Sequence, residues 1–185
     1  MVRILFGFWL ILFLWLASVG EAAMKTISLS WDTNTEPNLA GYRLYWGQTY
    51  ASAANKTGTM VEIGNKTSVC VQVDDSVPVY FFGVTAYNTS GNESTATVGY
   101  LLFGNIAGTY NDGTPYTSAR VDGFDLTTLG LYFGQSVSHP TYNCSGTFVI
   151  QLPTDAQKSD LNKDGRVDGF DLIELGIRFG NAAYP

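Results

Sequence analysis

From Thr26 the chain alternates apolar and polar positions. Ile27, Leu29 and Trp31 alternate with Ser28 and Ser30, which predicts a strand with one buried face. Asp32 to Ala40 is polar and holds Pro37, a loop. Alternation resumes at Gly41, with Tyr42, Leu44 and Trp46 on one face. Gln48 to Gly58 is small and polar and reads as a connection. Met60 to Ile63 is a short strand, and Asn65-Lys-Thr a turn. Val69, Val71 and Val73 then alternate with Cys70 and Gln72, which places Cys70 on the outward face. Tyr80, Phe82, Val84 and Ala86 form the next inward set, Asn88 to Asn92 turns the chain, and Ser94 to Leu102 is the last strand. Short strands divided by turn signals, with no helical period, predict an antiparallel sandwich. Gly104 to Pro115 is rich in Gly, Asn, Thr and Tyr and reads as a linker.

Beyond residue 120 the period becomes helical. Leu126, Leu129 and Phe133 recur as Leu172, Leu175 and Phe179. They belong to a longer duplication: Arg120-Val-Asp-Gly-Phe-Asp-Leu126 returns as Arg166-Val-Asp-Gly-Phe-Asp-Leu172, 46 residues later. Both copies continue to Leu-Gly and then Phe-Gly, at Leu129-Gly130 with Phe133-Gly134 and at Leu175-Gly176 with Phe179-Gly180. Such self-similarity marks an internal repeat. Each copy is expected to be a half-loop and a short helix, and two such helices must pack together to bury their apolar stripes.

The second copy is preceded by the densest group of oxygen donors in the chain. In Asp160-Leu-Asn162-Lys-Asp164-Gly165-Arg166-Val-Asp168-Gly-Phe-Asp171, acidic or amide side chains stand at loop positions one, three, five, nine and twelve. Gly165 is at position six, where a sharp turn favours positive φ, and Arg166 at position seven would offer its backbone carbonyl. This is the spacing with which a loop wraps a calcium ion. In the first copy, aligned on the shared phrase, positions one, three, five and six are Thr114, Tyr116, Ser118 and Ala119. Only Asp122 and Asp125 survive, with Asn111 or Asp112 available by a longer path, so weak or no calcium binding is expected there.

The paired loop-and-helix arrangement resembles the dockerin family, small duplicated calcium modules of secreted bacterial proteins with Asp at position twelve. The resemblance covers roughly the last 75 residues. It implies that Asp160, Asn162, Asp164, Asp168 and Asp171 are calcium ligands, and it implies a protein partner of the cohesin type. Positions ten and eleven, often Ser or Thr in that family, are Gly-Phe in both copies, and the link between the copies is longer than usual. The region from about residue 25 to 103 resembles a fibronectin type III domain, carried by Leu29-Ser-Trp31, Gly41-Tyr-Arg-Leu-Tyr45 and Tyr80-x-Phe82-x-Val84-x-Ala86-Tyr-Asn88. That resemblance implies an all-β immunoglobulin-like sandwich with Trp31 in the core, a short or missing first strand, and Tyr80 as a tyrosine corner bonded to nearby backbone.

The division is therefore residues 1–23, a leader; 24–103, the sandwich; and 104–185, a linker and a small α module with repeats at about 111–135 and 158–181. The leader opens Met-Val-Arg3, runs apolar from Ile4 to Ala17 and ends in small residues, as a secretory signal peptide does. The competing reading is an uncleaved membrane anchor, but the apolar run falls short of the roughly 20 residues of a span. Cleavage after Ala22 or Ala23 is expected, leaving no span and an exported or cell-surface protein. Export makes a disulfide between Cys70 and Cys144 a candidate, alongside free thiols or pairing with another chain. The formal charge is −6, with 10 Lys and Arg against 16 Asp and Glu. No basic run suggests nucleic acid.

No catalytic constellation appears. His139 is the sole histidine, in a polar loop before Pro140, and reads as a solvated surface residue. Nucleophile elbows, zinc-type His pairs and phosphate-binding glycine loops are absent from the sequence. The reading is of a non-catalytic protein whose calcium-stabilised module mediates attachment or assembly, with a spacer or ligand sandwich, in the context of extracellular polysaccharide degradation. The alternative is a carbohydrate-binding or adhesion protein whose sandwich binds ligand, for which Tyr45, Trp46 and Tyr50 are the candidate aromatic platform.

Overall fold

The computed structural model describes residues 24–107, 119–139 and 154–183. The expected leader, Asn111, Asp112, Thr114, Tyr116, Ser118 and Cys144 lie outside the described residues. Two antiparallel sheets and a few short helices make up the fold. One sheet pairs β1 (Met24–Ser30) with β4 (Ser68–Asp74); the other has the order β3 (Thr59–Gly64), β2 (Leu39–Gly47), β5 (Val79–Asn88), β6 (Thr97–Leu102). Leu44, Val71, Val73, Tyr80, Phe82 and Phe103 are buried between them, with Ile27, Leu29, Trp46, Val69 and Val84 packed alongside. This is the inward set that alternation predicts. The Tyr80 ring is buried, and its hydroxyl accepts from Asp74 N–H at 3.2 Å. Trp31 is half-buried, edge-on to Tyr42 with ring centroids 5.5 Å apart. Among the described residues β1 pairs with β4 alone, and its other edge carries no strand.

The outer face of the larger sheet is also covered, which alternation did not anticipate. Tyr45 and Phe81, on the outward positions, are buried. The expected connection over 48–58 contains helix α1 (Tyr50–Ala54), capped by Thr49, which lays the fully buried Ala53 on this face. The last strand begins at Thr97 rather than Ser94; the residues before it meet the end of β5 only through an isolated bridge, Tyr87 to Glu93. Glu93 in that loop takes hydrogen bonds from Arg43 at 2.8 Å and Thr85 at 2.6 Å, with the Lys56 ammonium 3.6 Å away.

Three helices follow: α2 (Gly123–Tyr132), α3 (Asp155–Ser159) and α4 (Gly169–Arg178). Asp122 and Asp168 cap α2 and α4 identically, each donating its own backbone N–H in return to the carboxylate of the Asp three residues on. The two repeats are tied by bonds that reproduce one another at the 46-residue offset. Val121 N–H donates to Asn181 O and Val121 O accepts from Gly180 N–H, both at 2.8 Å. Val167 N–H donates to Gln135 O at 2.9 Å and Val167 O accepts from Gly134 N–H at 2.7 Å. Ala183 bonds Ala119 at 3.1 Å as Val137 bonds Gly165 at 2.9 Å. Each loop therefore holds the end of the other repeat's helix.

Packing departs from the expected stripes. Leu129 and Leu175 are buried, while Leu126, Phe133, Leu172 and Phe179 are exposed. Val121, Val167, Ala119 and Ala183 fill the space between the repeats instead, and one apolar cluster joins them to Leu102 and Phe81 of the sheet. The expected linker is part of this core: Ile106 is 1% exposed. The larger sheet and the repeats thus share one apolar cluster, distinct from the one between the two sheets.

Candidate functional site

Gly165 takes φ +93° at loop position six, as the sequence predicts, and Lys163 at position four is also left-handed, at φ 61°. The remaining geometry comes from side chains that bond the loop's own backbone. Asn162 Oδ1 accepts from Asp164 N–H and Asp164 Oδ1 from Arg166 N–H, both at 3.0 Å, while Asn162 Nδ2 donates to Asp164 Oδ2 at 3.0 Å. Such bonds let Asx side chains replace missing ladder partners in a turn.

Asp160 is the buried acid at the loop's start. It is 1% exposed. Its Oδ2 accepts from Gly165 N–H at 2.9 Å and from His139 Nε2 at 2.8 Å. Its Oδ1 has no partner in the structure. Buried carboxylate oxygens are ordinarily bonded, and an orphaned one is costly. His139 is therefore not a solvated surface residue. The strand-like segment 135–139 carries it to the loop, and sequence inspection has no local signal for that contact.

Asp171 is fully buried and turned toward backbone. Oδ1 accepts from Leu161 and Asn162 N–H at 2.7 and 3.2 Å, and Oδ2 from Asp168 N–H at 2.8 Å. Asp168 Oδ1 caps α4 through Phe170 N–H at 2.9 Å. Among the described residues no three His, Cys, Asp or Glu side chains converge closely enough to form a metal cluster. Of the expected ligands, Asp160, Asn162 and Asp164 are thus linked with Gly165 and Arg166 in one loop, while Asp168 and Asp171 serve the helix cap.

In the first repeat, Asp125 Oδ1 accepts from Ile106 and Ala107 N–H at 2.6 and 2.9 Å, and Oδ2 from Asp122 N–H at 2.7 Å. These bonds copy those of Asp171. Ile106 and Ala107 consequently stand where Leu161 and Asn162 stand in the second repeat, and Asn105 where Asp160 stands. Counting back from the shared phrase had put Thr114 there. The first loop is therefore longer, and its position-one residue carries no charge. Three backbone donors already satisfy Asp125.

The aromatic platform does not form. Tyr45 is buried, and Trp46 packs into the core on the opposite face of β2. Tyr50 stands edge-on to Phe81. Cys70 is half-buried and its sulfur is in a disulfide. No helix of the described residues is long and apolar enough to cross a membrane.

Solvent meets a second, larger feature on the repeats. Phe124, Leu126, Leu131 and Phe133 of the first are exposed, as are Phe170, Leu172, Ile177 and Phe179 at the matching positions of the second. Ile173 joins them. Phe124 is 77% and Phe170 65% exposed, which no folding requirement explains. Comparison with known proteins finds no family model that matches the chain, and no curated protein that matches it.

Proposed function

We propose that the chain is an exported, non-catalytic assembly protein: a fibronectin type III-like sandwich fused to a dockerin-like module that holds one calcium ion and docks a protein partner. The duplicated exposed apolar positions carry the partner reading: Phe124 and Leu131 lie on one side of α2 and Leu126 and Phe133 on the other, and α4 repeats both pairs. Isolated surface apolar residues need no explanation, whereas a repeated set points to an interaction. Here the same set occurs on both helices. A protein of cohesin type, offering a complementary apolar surface, is the occupant.

The order of strands and the buried Tyr80 with its hydroxyl on Asp74 N–H support the sandwich assignment. The unpartnered Oδ1 of Asp160 supports the calcium site. Asp160, Asn162, Asp164 and the Arg166 carbonyl would hold the ion, with Asp168 and Asp171 completing the set. Calcium, when bound, would offset the charge of the loop's four Asp side chains, which Lys163 and Arg166 balance only in part. Its binding energy then becomes stability of the loop and of the helix that follows.

The test is titration of the full chain with a purified cohesin-type domain, with calcium and with chelator. Saturable binding in calcium is expected, and replacing Phe124 and Phe170 by Ser should weaken it at least tenfold. Equal binding by that variant, or none by the parent chain, overturns the docking reading.

A further inference from the structure

We propose that His139 is the positioning residue of the Asp160 loop: its ring holds Asp160 Oδ2 so that Oδ1 alone faces the cation. The inference rests on the calcium reading and adds a residue that loop spacing does not include.

A carboxylate oxygen can only accept, so the imidazole Nε2, 2.8 Å from Oδ2, carries the proton. Gly165 N–H adds a second bond to the same oxygen at 2.9 Å. Two donors on one oxygen fix the carboxylate's rotation. The other oxygen then points away from both, buried and without a partner. A free Asp side chain in a flexible loop would turn to share its oxygens among the available donors.

The ring is itself held in place. Val137 N–H donates to Gly165 O at 2.9 Å, Val167 N–H to Gln135 O at 2.9 Å, and Gln157 Nε2 to Ser138 O at 2.6 Å. These contacts pin the segment before His139 against the loop it serves. The first repeat has no equivalent histidine, since the sequence holds only this one. The 46-residue offset takes His139 to Pro185, which has no side-chain donor. The position-one residue is there the uncharged Asn105.

Outer-shell hydrogen bonds that orient metal ligands are typically worth about 10–100-fold in affinity. Calorimetric calcium titration of the full chain, His139→Ala and His139→Gln tests the proposal. His139→Ala should bind about 10–100-fold more weakly, and His139→Gln, whose amide still donates, should recover most of the loss. The thermal midpoint in excess chelator gives a second readout: a merely structural histidine would lower it in both variants and leave the affinities alone. Unchanged or tighter calcium binding by His139→Ala overturns the proposal while the calcium reading stands. A parent chain that takes up no calcium overturns both.

Discussion

Val121 and Val167 are both fully buried, and each is bonded on both sides to the chain that leaves the other repeat's helix. The two repeats are therefore crossed rather than stacked. Leu129 and Leu175, one from each helix, are buried in the same cluster. Leu129→Ala and Leu175→Ala should each destabilise by about 2–5 kcal/mol, and by similar amounts. Urea unfolding followed by circular dichroism should show one transition in each case. Separate melting of the two repeats would contradict the crossed arrangement.

The acids of the two loops differ in what they need. Asp160→Ala and Asp171→Ala should abolish tight calcium binding. Asp125→Ala should leave the affinity nearly intact, because its loop opens on the uncharged Asn105 and not on an acid. Its cost should instead be about 1–3 kcal/mol of stability, from the buried Ile106 N–H and two part-buried donors left without an acceptor. Calorimetry on the three variants checks this, and equal losses of affinity would make the first loop a true second site.

Glu93 gives the sheet a pH dependence. Burial disfavours its charge, but hydrogen bonds from Thr85, Arg43 and Tyr45, with Lys56 near by, outweigh burial and hold its carboxyl below the ordinary value. A carboxylate depressed in the folded state adds stability above its unfolded value, about 4.3. That stability disappears as pH falls through the lowered folded value. Glu93→Gln should be less stable than the parent at pH 7, and the gap should close on acidification below about pH 4. Thermal melts across that range decide it; parallel curves would remove Glu93 from the account.

Glycines separate close approach from mere flexibility. A Cβ on Gly83 would lie 2.6 Å from the Ala53 carbonyl oxygen of α1. Gly83→Ala should therefore cost about 1–3 kcal/mol by forcing the helix off the sheet. Gly130 and Gly176 lie inside α2 and α4 with nothing within 4 Å of an added Cβ. Alanine at either should stabilise by about 0.5–1 kcal/mol. Chemical denaturation gives both signs in one series.

The strands are legible in the sequence because Ser28, Ser30 and Gln72 leave one face polar beside Ile27, Leu29 and Val71. Tyr45 and Phe81 escape that reading. Their cover comes from α1 and the Glu93 loop, which are not themselves periodic. Helix α1 is hard to see, since it buries only Ala53 and has no apolar stripe. The repeat is plain in Arg120 to Leu126 and Arg166 to Leu172, and so is the Asp160 loop. The start of the first loop is hidden, because extra chain before the shared phrase breaks the count and leaves Asn105 to be found only through Asp125. His139 is invisible for the same kind of reason. A lone histidine before a proline carries no pattern, and its meaning is the tertiary contact with Asp160.

Ile106 turns what looks like a tether into a weld. Because its side chain is locked between the larger sheet and the crossed repeats, a load taken up at Phe124 or Phe170 would pass into the strands without a slack joint to absorb it. A partner gripping that face would hold the sandwich at a set angle, as a bracket does, and not let it swing like a bead on a string.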